Sequence, residues 1–173
     1  MFHLIYYWRY MELLSQEYNE KIAKTGVFLT AKNERVSTAE SCTGGLIASA
    51  FTQFPGASAW YFGSIVAYDN TIKQKILGVP SDVLQKYGAA SEQTVEKMLE
   101  GANELFKTEW VLAVSGIAGP SGATFDKPIG TVYVGVLYKG KVLEISHNKF
   151  SGNRSQVRLQ TVQKAIDSVF SRL

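Results

Sequence analysis

The run Trp110-Val111-Leu112-Ala113-Val114 constrains the fold more than any other stretch of this chain. A continuous apolar strand pattern belongs to a strand covered on both faces, as in a sheet between helical layers. The run feeds directly into Ser115-Gly116-Ile117-Ala118-Gly119-Pro120-Ser121-Gly122, a glycine-rich loop. Around it, helix and strand patterns alternate. Apolar residues at 13, 14, 18, 22 and 23 predict a helix over 13–29 packed by one face. A short β-prone piece, 35–39, meets Glu40-Ser41-Cys42-Thr43-Gly44-Gly45, and small and apolar residues continue as a helix over 46–51. Pro55 and Gly56 break that helix, and 60–68 reads as a strand rich in aromatic and β-branched residues.

Short helices follow over 71–77 and 81–87. Ser91 is placed to cap a long helix to about Lys107. Strands over 130–138 and 141–150 are joined by Lys139-Gly140, a hairpin signal, and a last helix starts at Asn153 or Ser155 and runs through Phe170. The expected fold is therefore a single α/β domain, a mixed sheet with helices on both faces. Its 173 residues suffice for one domain with a real core.

Residue usage narrows the chemistry. The single cysteine, Cys42, forms no internal disulfide, so a reducing compartment is the simplest reading. Two histidines, His3 and His147, with one cysteine leave too few ligands for a zinc cage, and no metal or cofactor is expected. If the protein is an enzyme, its base is a lysine, a tyrosine or a carboxylate. Net charge is +3, but residues 139–173 hold seven Lys/Arg against two acids. A solvated face explains this excess, and attraction for an anion such as phosphate is the sharper alternative. Nucleic acid is not the expected partner, since aromatic–basic interleaving is weak there.

The opening MFHLIYYWRYMELL lacks the basic n-region and the cleavage site of a signal peptide, and its apolar run is too short to span a membrane. A cytoplasmic protein without membrane attachment is expected. Residues 1–10 read as an extension of unclear status before a domain over 11–173, with Met11 a second candidate start. A homo-oligomer is the expected assembly. The first ten residues and Trp60-Tyr61-Phe62 are candidates for its buried contacts, although core burial explains the latter as well.

Both glycine-bearing loops follow predicted strands, and ligands in open α/β sheets bind beyond the carboxyl ends of strands. In the first loop, Gly44 and Gly45 let backbone approach a ligand, and the following helix would offer N–H groups to an oxyanion or phosphate beside Ser41. A capping serine with packing glycines explains the same pattern. Cys42 reads as a packed thiol. Lys73, just after the strand ending near Tyr68, is either a surface lysine or a desolvated base that meets a serine in space. Ser115, Gly116 and Gly119 could cradle an anion through backbone N–H groups, or simply form a turn. Arg154 could pair with a phosphate or be solvated.

Taken together, TAESCTGG, Tyr68-Asp69-Asn70 with Lys73, SGIAGPSG, KPIGTVYVG and SGNR resemble one family in matching order across 13–173. That family is the C-terminal domain of the competence/damage-inducible protein CinA, whose stand-alone members include the nicotinamide-nucleotide amidase PncC. The resemblance implies a three-layer α/β/α domain that hydrolyses the carboxamide of nicotinamide mononucleotide, a small nucleotide substrate, in pyridine-nucleotide salvage. It implies Ser41 as nucleophile, Lys73 as base and Tyr68 as its assistant. Thr43, Gly44 and Gly45 would surround the acyl centre, Ser115, Gly116, Ala118 and Gly119 would help bind the nucleotide, and Arg154 would meet its phosphate. The second loop departs from the family's G-P-x-G-G, with Gly122 followed by Ala123. The N-terminal nucleotide-processing domain of full-length relatives is not in this sequence. The alternative expectation is a non-catalytic ligand- or partner-binding domain linked to competence or DNA-damage responses.

Overall fold

The computed structural model describes residues 14–173. The readings of residues 1–10 and Met11 lie outside that range. In chain order the elements are α1 (Gln16–Ala31), β1 (Val36–Glu40), α2 (Leu46–Thr52), a single 3₁₀ turn (Ala57–Ala59), β2 (Tyr61–Val66), α3 (Asn70–Leu77), α4 (Ser81–Tyr87), α5 (Glu92–Phe106), β3 (Trp110–Gly116), β4 (Thr131–Tyr138), β5 (Lys141–Lys149) and α6 (Arg154–Phe170). They form the expected α/β fold. The five-stranded sheet has the order β2-β1-β3-β4-β5. Strands β2, β1 and β3 run parallel, β4 runs antiparallel to β3, and β5 pairs antiparallel with β4.

The run at 110–114 is buried along its whole length and alternates between two cores. Trp110, Leu112 and Val114 face one core with Ile22 and Leu29 of α1, Ile47 and Phe51 of α2, and Val162 and Ile166 of α6. Val111 and Ala113 face the other, with Leu77 of α3, Leu84 of α4, and Val95, Met98 and Leu99 of α5. A strand whose side chains enter both cores has no polar face, which is why its sequence shows no alternation. Each layer of helices sits on its own side of the sheet.

Local signals hold where the chemistry is local. Ser91 accepts from the Thr94 N–H at 3.2 Å and caps α5. Asn153 caps α6, and the Gln156 side chain returns the bond to the Asn153 N–H at 2.8 Å. Lys139 and Gly140 both take positive φ, 47° and 79°, which the tight β4–β5 turn requires. In α1 the apolar pattern misleads at one position, since Ala23 faces solvent. Gly26 is buried instead, because the Trp60 indole presses onto the helix there, and a Cβ would meet its Nε1 at 2.6 Å. Trp60 and Tyr61 belong to the core, whereas Phe62 is 48% exposed, meets the Phe106 ring edge to face and lies under the Arg35 guanidinium at 4.8 Å. Among the described residues, no helix is long and apolar enough to cross a membrane.

Candidate active site

Strand β1 delivers Glu40 and then Ser41 to the carboxyl end of the sheet, beside the end of β3, where the Ser41 N–H donates to the Val114 carbonyl at 3.0 Å. The chain then turns tightly, with the Gly44 N–H on the Ser41 carbonyl at 3.1 Å. Gly44 and Gly45 take φ of 62° and 91°, which other residues adopt only with strain. The turn is held from beneath by Glu40, whose side chain is fully buried. Its carboxylate accepts from Thr43 Oγ1 at 2.6 Å and from the N–H groups of Gly45, Ile47 and Ala48 at 3.0, 3.1 and 2.8 Å. Arg158 of α6 clamps the other side, donating to the Thr43 carbonyl at 2.6 Å, while its buried Nε has no partner.

Glu40 alters what the turn offers a ligand. The N–H groups expected to receive an anion at the start of α2 already receive one, the Glu40 carboxylate. The N–H groups of Gly45, Ile47 and Ala48 are on Glu40, and that of Gly44 is on the Ser41 carbonyl. Thr43 is buried with its hydroxyl on Glu40, and neither it nor Gly44 nor Gly45 lines the adjoining cleft. These three residues shape the turn that follows Ser41 rather than line the cleft. Glu40 stood inside the quoted motif, yet its role was missed.

The cleft has a volume of about 550 Å³. It brings together Ser41, Tyr68, Lys73, Ser115, Gly116, Ala118 and Arg154, as expected, and adds Cys42, Asn70, Lys86, Tyr87, Asp126 and Lys127. Ser41 is only 7% exposed. Lys73, on the first turn of α3, is 1% exposed and donates to the carbonyls of Ala67 and Tyr68 at 2.8 and 3.1 Å. Burial pushes its pKa below the ordinary lysine value, and the Asp69 carboxylate and Cys42 thiol pull weakly the other way. Asp69 itself is engaged as the cap of α3, accepting from the Thr71 N–H at 2.7 Å. Lys73 is therefore a buried amine without a contacting carboxylate.

Cys42 lies beside it. Burial pushes this thiol up to about 12, the nearby Glu40 charge adds to the rise, and Lys73 and Arg158 oppose it. At neutral pH it is a protonated, packed group, as its setting in sequence suggested. Tyr68 is 58% exposed, and its hydroxyl accepts from Arg154 Nη2 at 2.8 Å. Arg154 Nη1 donates to the Gly119 carbonyl at 2.7 Å. Gly119 thus reaches the cleft only through Arg154. Ser115 turns its hydroxyl to the Ala89 carbonyl at 2.7 Å, which ties the end of β3 to the loop before α5.

The family model for the CinA C-terminal domain matches residues 18–173. A CinA-like protein of Thermotoga neapolitana is 42% identical over 156 residues, which is 90% of this chain and 38% of that protein. A CinA-like protein of Dictyoglomus thermophilum is 45% identical over 139 residues, 80% of this chain and 34% of that protein. The chain thus spans well under half the length of these relatives. Among solved structures, the competence/damage inducible protein CihA of Agrobacterium tumefaciens superposes with a TM-score of 0.89 at 36% identity, covering 93% of this chain and 98% of that one. The competence damage-inducible protein A of Klebsiella pneumoniae gives 0.86 at 31% identity, covering 90% and 96%.

Proposed function

This chain belongs to the CinA C-terminal domain family, and from that premise we propose that it is a nicotinamide-nucleotide amidase. It converts nicotinamide mononucleotide and water into nicotinate mononucleotide and ammonia, a pyridine-nucleotide salvage step. The observation that carries the reading is Lys73, buried in the same cleft as Ser41 with its pKa lowered. A neutral amine has two hydrogens, and the carbonyls of Ala67 and Tyr68 take both, so the lone pair is left to accept a proton.

In this mechanism Ser41 Oγ attacks the carboxamide carbon as its proton passes to Lys73 Nζ. The oxyanion is met by the N–H group of Cys42, the turn residue beside Ser41 that lines the cleft, since those further along the turn are engaged by Glu40. Collapse breaks the C–N bond, and Lys73 returns the proton to the departing ammonia. Water then attacks the acyl-enzyme, Lys73 takes its proton and gives it to Ser41, and the carboxylate product leaves. Tyr68, polarised by the Arg154 guanidinium, assists proton movement at the mouth of the cleft. The electron-poor pyridinium of the substrate lowers the demand on each step.

The competing reading is a non-catalytic ligand- or partner-binding domain. It draws on one observation, that Lys73 donates to two carbonyls and not to Ser41. Ammonia release from nicotinamide mononucleotide separates the two. The amidase releases ammonia, and Ser41→Ala and Lys73→Ala each abolish release with the fold retained. Thermal stabilisation by the nucleotide without ammonia release favours the binding module instead.

A further inference from the structure

The helical layer of α1 and α2 carries a second groove, of about 520 Å³, which shares no residue with the cleft that holds Ser41. Ala23, Val27 and Thr30 of α1 line it, with Phe54 and Pro55 from the segment after α2 and Trp60 before β2. None of the described residues that line it is charged. Val27 is 72% exposed although it sits in mid-helix. A lone exposed valine is ordinary, but one standing beside an uncharged groove marks an interaction surface.

The two described tryptophans are satisfied differently. Trp110 Nε1 donates to Glu34 at 2.9 Å. Trp60 is 5% exposed, yet its Nε1 meets no acceptor among the described residues. Nor is that nitrogen one of the polar atoms fully enclosed without a partner, so its N–H is open to the groove. An indole N–H in so buried a ring normally finds an acceptor. The groove therefore fits an occupant that brings apolar side chains and one oxygen acceptor.

We propose that helix α1 of a second copy of this chain fills the groove over Trp60, forming a two-fold symmetric dimer. Ala23, Val27 and Ala31 are exposed at four-residue spacing, so they form one row on one face of α1. A two-fold axis through Val27, perpendicular to the helix, runs the two copies of α1 antiparallel. It sets Ala23 of each opposite Ala31 of the other, small against small, so the helices approach closely. Each Val27 enters the groove of the other copy. Thr30 comes to the level of residue 24 in the other copy, beside Gly26 and the indole, where its hydroxyl supplies the missing acceptor. The charges agree with this direction. Glu20 lies seven residues before Val27 and Lys32 five after it, both exposed, and among the described residues neither joins an ion pair. Antiparallel packing brings Glu20 of one copy to the end of α1 that carries Lys32 in the other. Within one copy they stand about 18 Å apart along the helix, too far to pair. Of Trp60, Tyr61 and Phe62, Trp60 alone lines this surface. The proposal rests on no reading of the reaction.

The test is analytical ultracentrifugation of the full chain across a concentration series. The proposal expects a monomer–dimer equilibrium. Its dissociation constant should rise about a hundredfold or more in Val27→Glu, which puts an unpaired charge into the uncharged groove. Glu20→Lys should weaken the dimer about fivefold, and adding Lys32→Glu should restore it. That recovery requires the two residues to meet across copies. Thermal melts confirm that each variant is folded. A wild-type chain that stays monomeric at every concentration overturns the proposal. So does a dimer that Val27→Glu leaves intact, because its interface then lies elsewhere. Failure of the reversed pair to recover overturns the antiparallel arrangement. A wild-type monomer that loses thermal stability in Val27→Glu assigns the groove to a segment of the same chain, which also overturns the proposal.

Discussion

Strand β1 begins and ends beside a buried glutamate, and the two are treated differently. Glu34 precedes the strand at the amino end of the sheet. Its carboxylate receives Trp110 Nε1 at 2.9 Å, the Tyr138 hydroxyl at 2.9 Å and the Lys139 ammonium at 3.0 Å. Burial pushes its pKa up, and these three donors outweigh burial and hold it below the ordinary value. Glu40 closes the strand at the other end and receives only neutral donors, three of them backbone N–H groups. The cations near Glu40 are occupied elsewhere, Arg158 on the Thr43 carbonyl and Lys73 on those of Ala67 and Tyr68. One end of the sheet has neutralised its buried charge. The other keeps an acid and an amine apart, with a serine between them in sequence. Buried ionisable groups with no opposite charge in contact cost stability, and such groups cluster at functional sites.

The largest break in this contrast is expected at Lys73. Lys73→Met should reduce ammonia release by about a hundredfold or more, the usual scale for loss of a general base. In the wild-type protein kcat/KM should rise with pH through a Lys73 pKa below the ordinary lysine value, because the neutral amine is the active form. The same group links stability to pH. Between its folded pKa and the unfolded value of about 10.4, the unfolded chain binds the extra proton, so stability rises with pH. Denaturant titrations should show wild type gaining on Lys73→Met across that window. A pH-independent difference would mean that Lys73 is not a desolvated amine.

Next comes Glu40→Gln. An amide has one acceptor oxygen and turns N–H groups toward donors, so part of the network is lost. A stability loss of about 1–3 kcal/mol is expected, with kcat falling about tenfold and KM little changed, because the turn carrying Ser41 is displaced. Equal kcat in both proteins would make Glu40 a purely structural cap.

Glu34→Gln should cost about 1–2 kcal/mol in urea denaturation and leave ammonia release intact, since it acts at the far end of the sheet. The wild-type contribution of Glu34 stands above its ordinary pKa and is lost as pH falls through the lowered folded value. A change in activity would show that the two ends are coupled. Lys139→Met should have the smallest effect, within about 0.5 kcal/mol, because its side chain is 57% exposed.

What could be read from sequence follows the range of the interactions involved. The buried strand at 110–114, the Ser91 and Asn153 caps and the Lys139-Gly140 turn are written in neighbouring residues, and all appear in the structure. Glu40 escaped because its partners run as far as Ala48, across a non-helical turn, beyond the spacing of ordinary capping patterns. Lys73 was singled out by its place after a strand, but its burial and carbonyl partners depend on how α3 folds back over the end of β2. Lys127 was quoted only as the first residue of a motif. Its partner Tyr87 lies forty residues away, a separation no local pattern records. Ala23 was misplaced for a similar reason, since the Trp60 ring closes the face of α1 that carries Gly26.

The position of β1 between β2 and β3 also dictates when the cleft can exist. On a ribosome, Ser41 emerges before β3, the strand that pairs with β1 residue for residue and lies 74 positions further along the chain. Arg158, which clamps the turn after Ser41, comes later still, with α6. Contacts between distant segments form late, whereas the β4–β5 hairpin can close as soon as it is made. A nascent chain arrested before α6 would therefore carry Ser41 and Lys73 without the completed cleft.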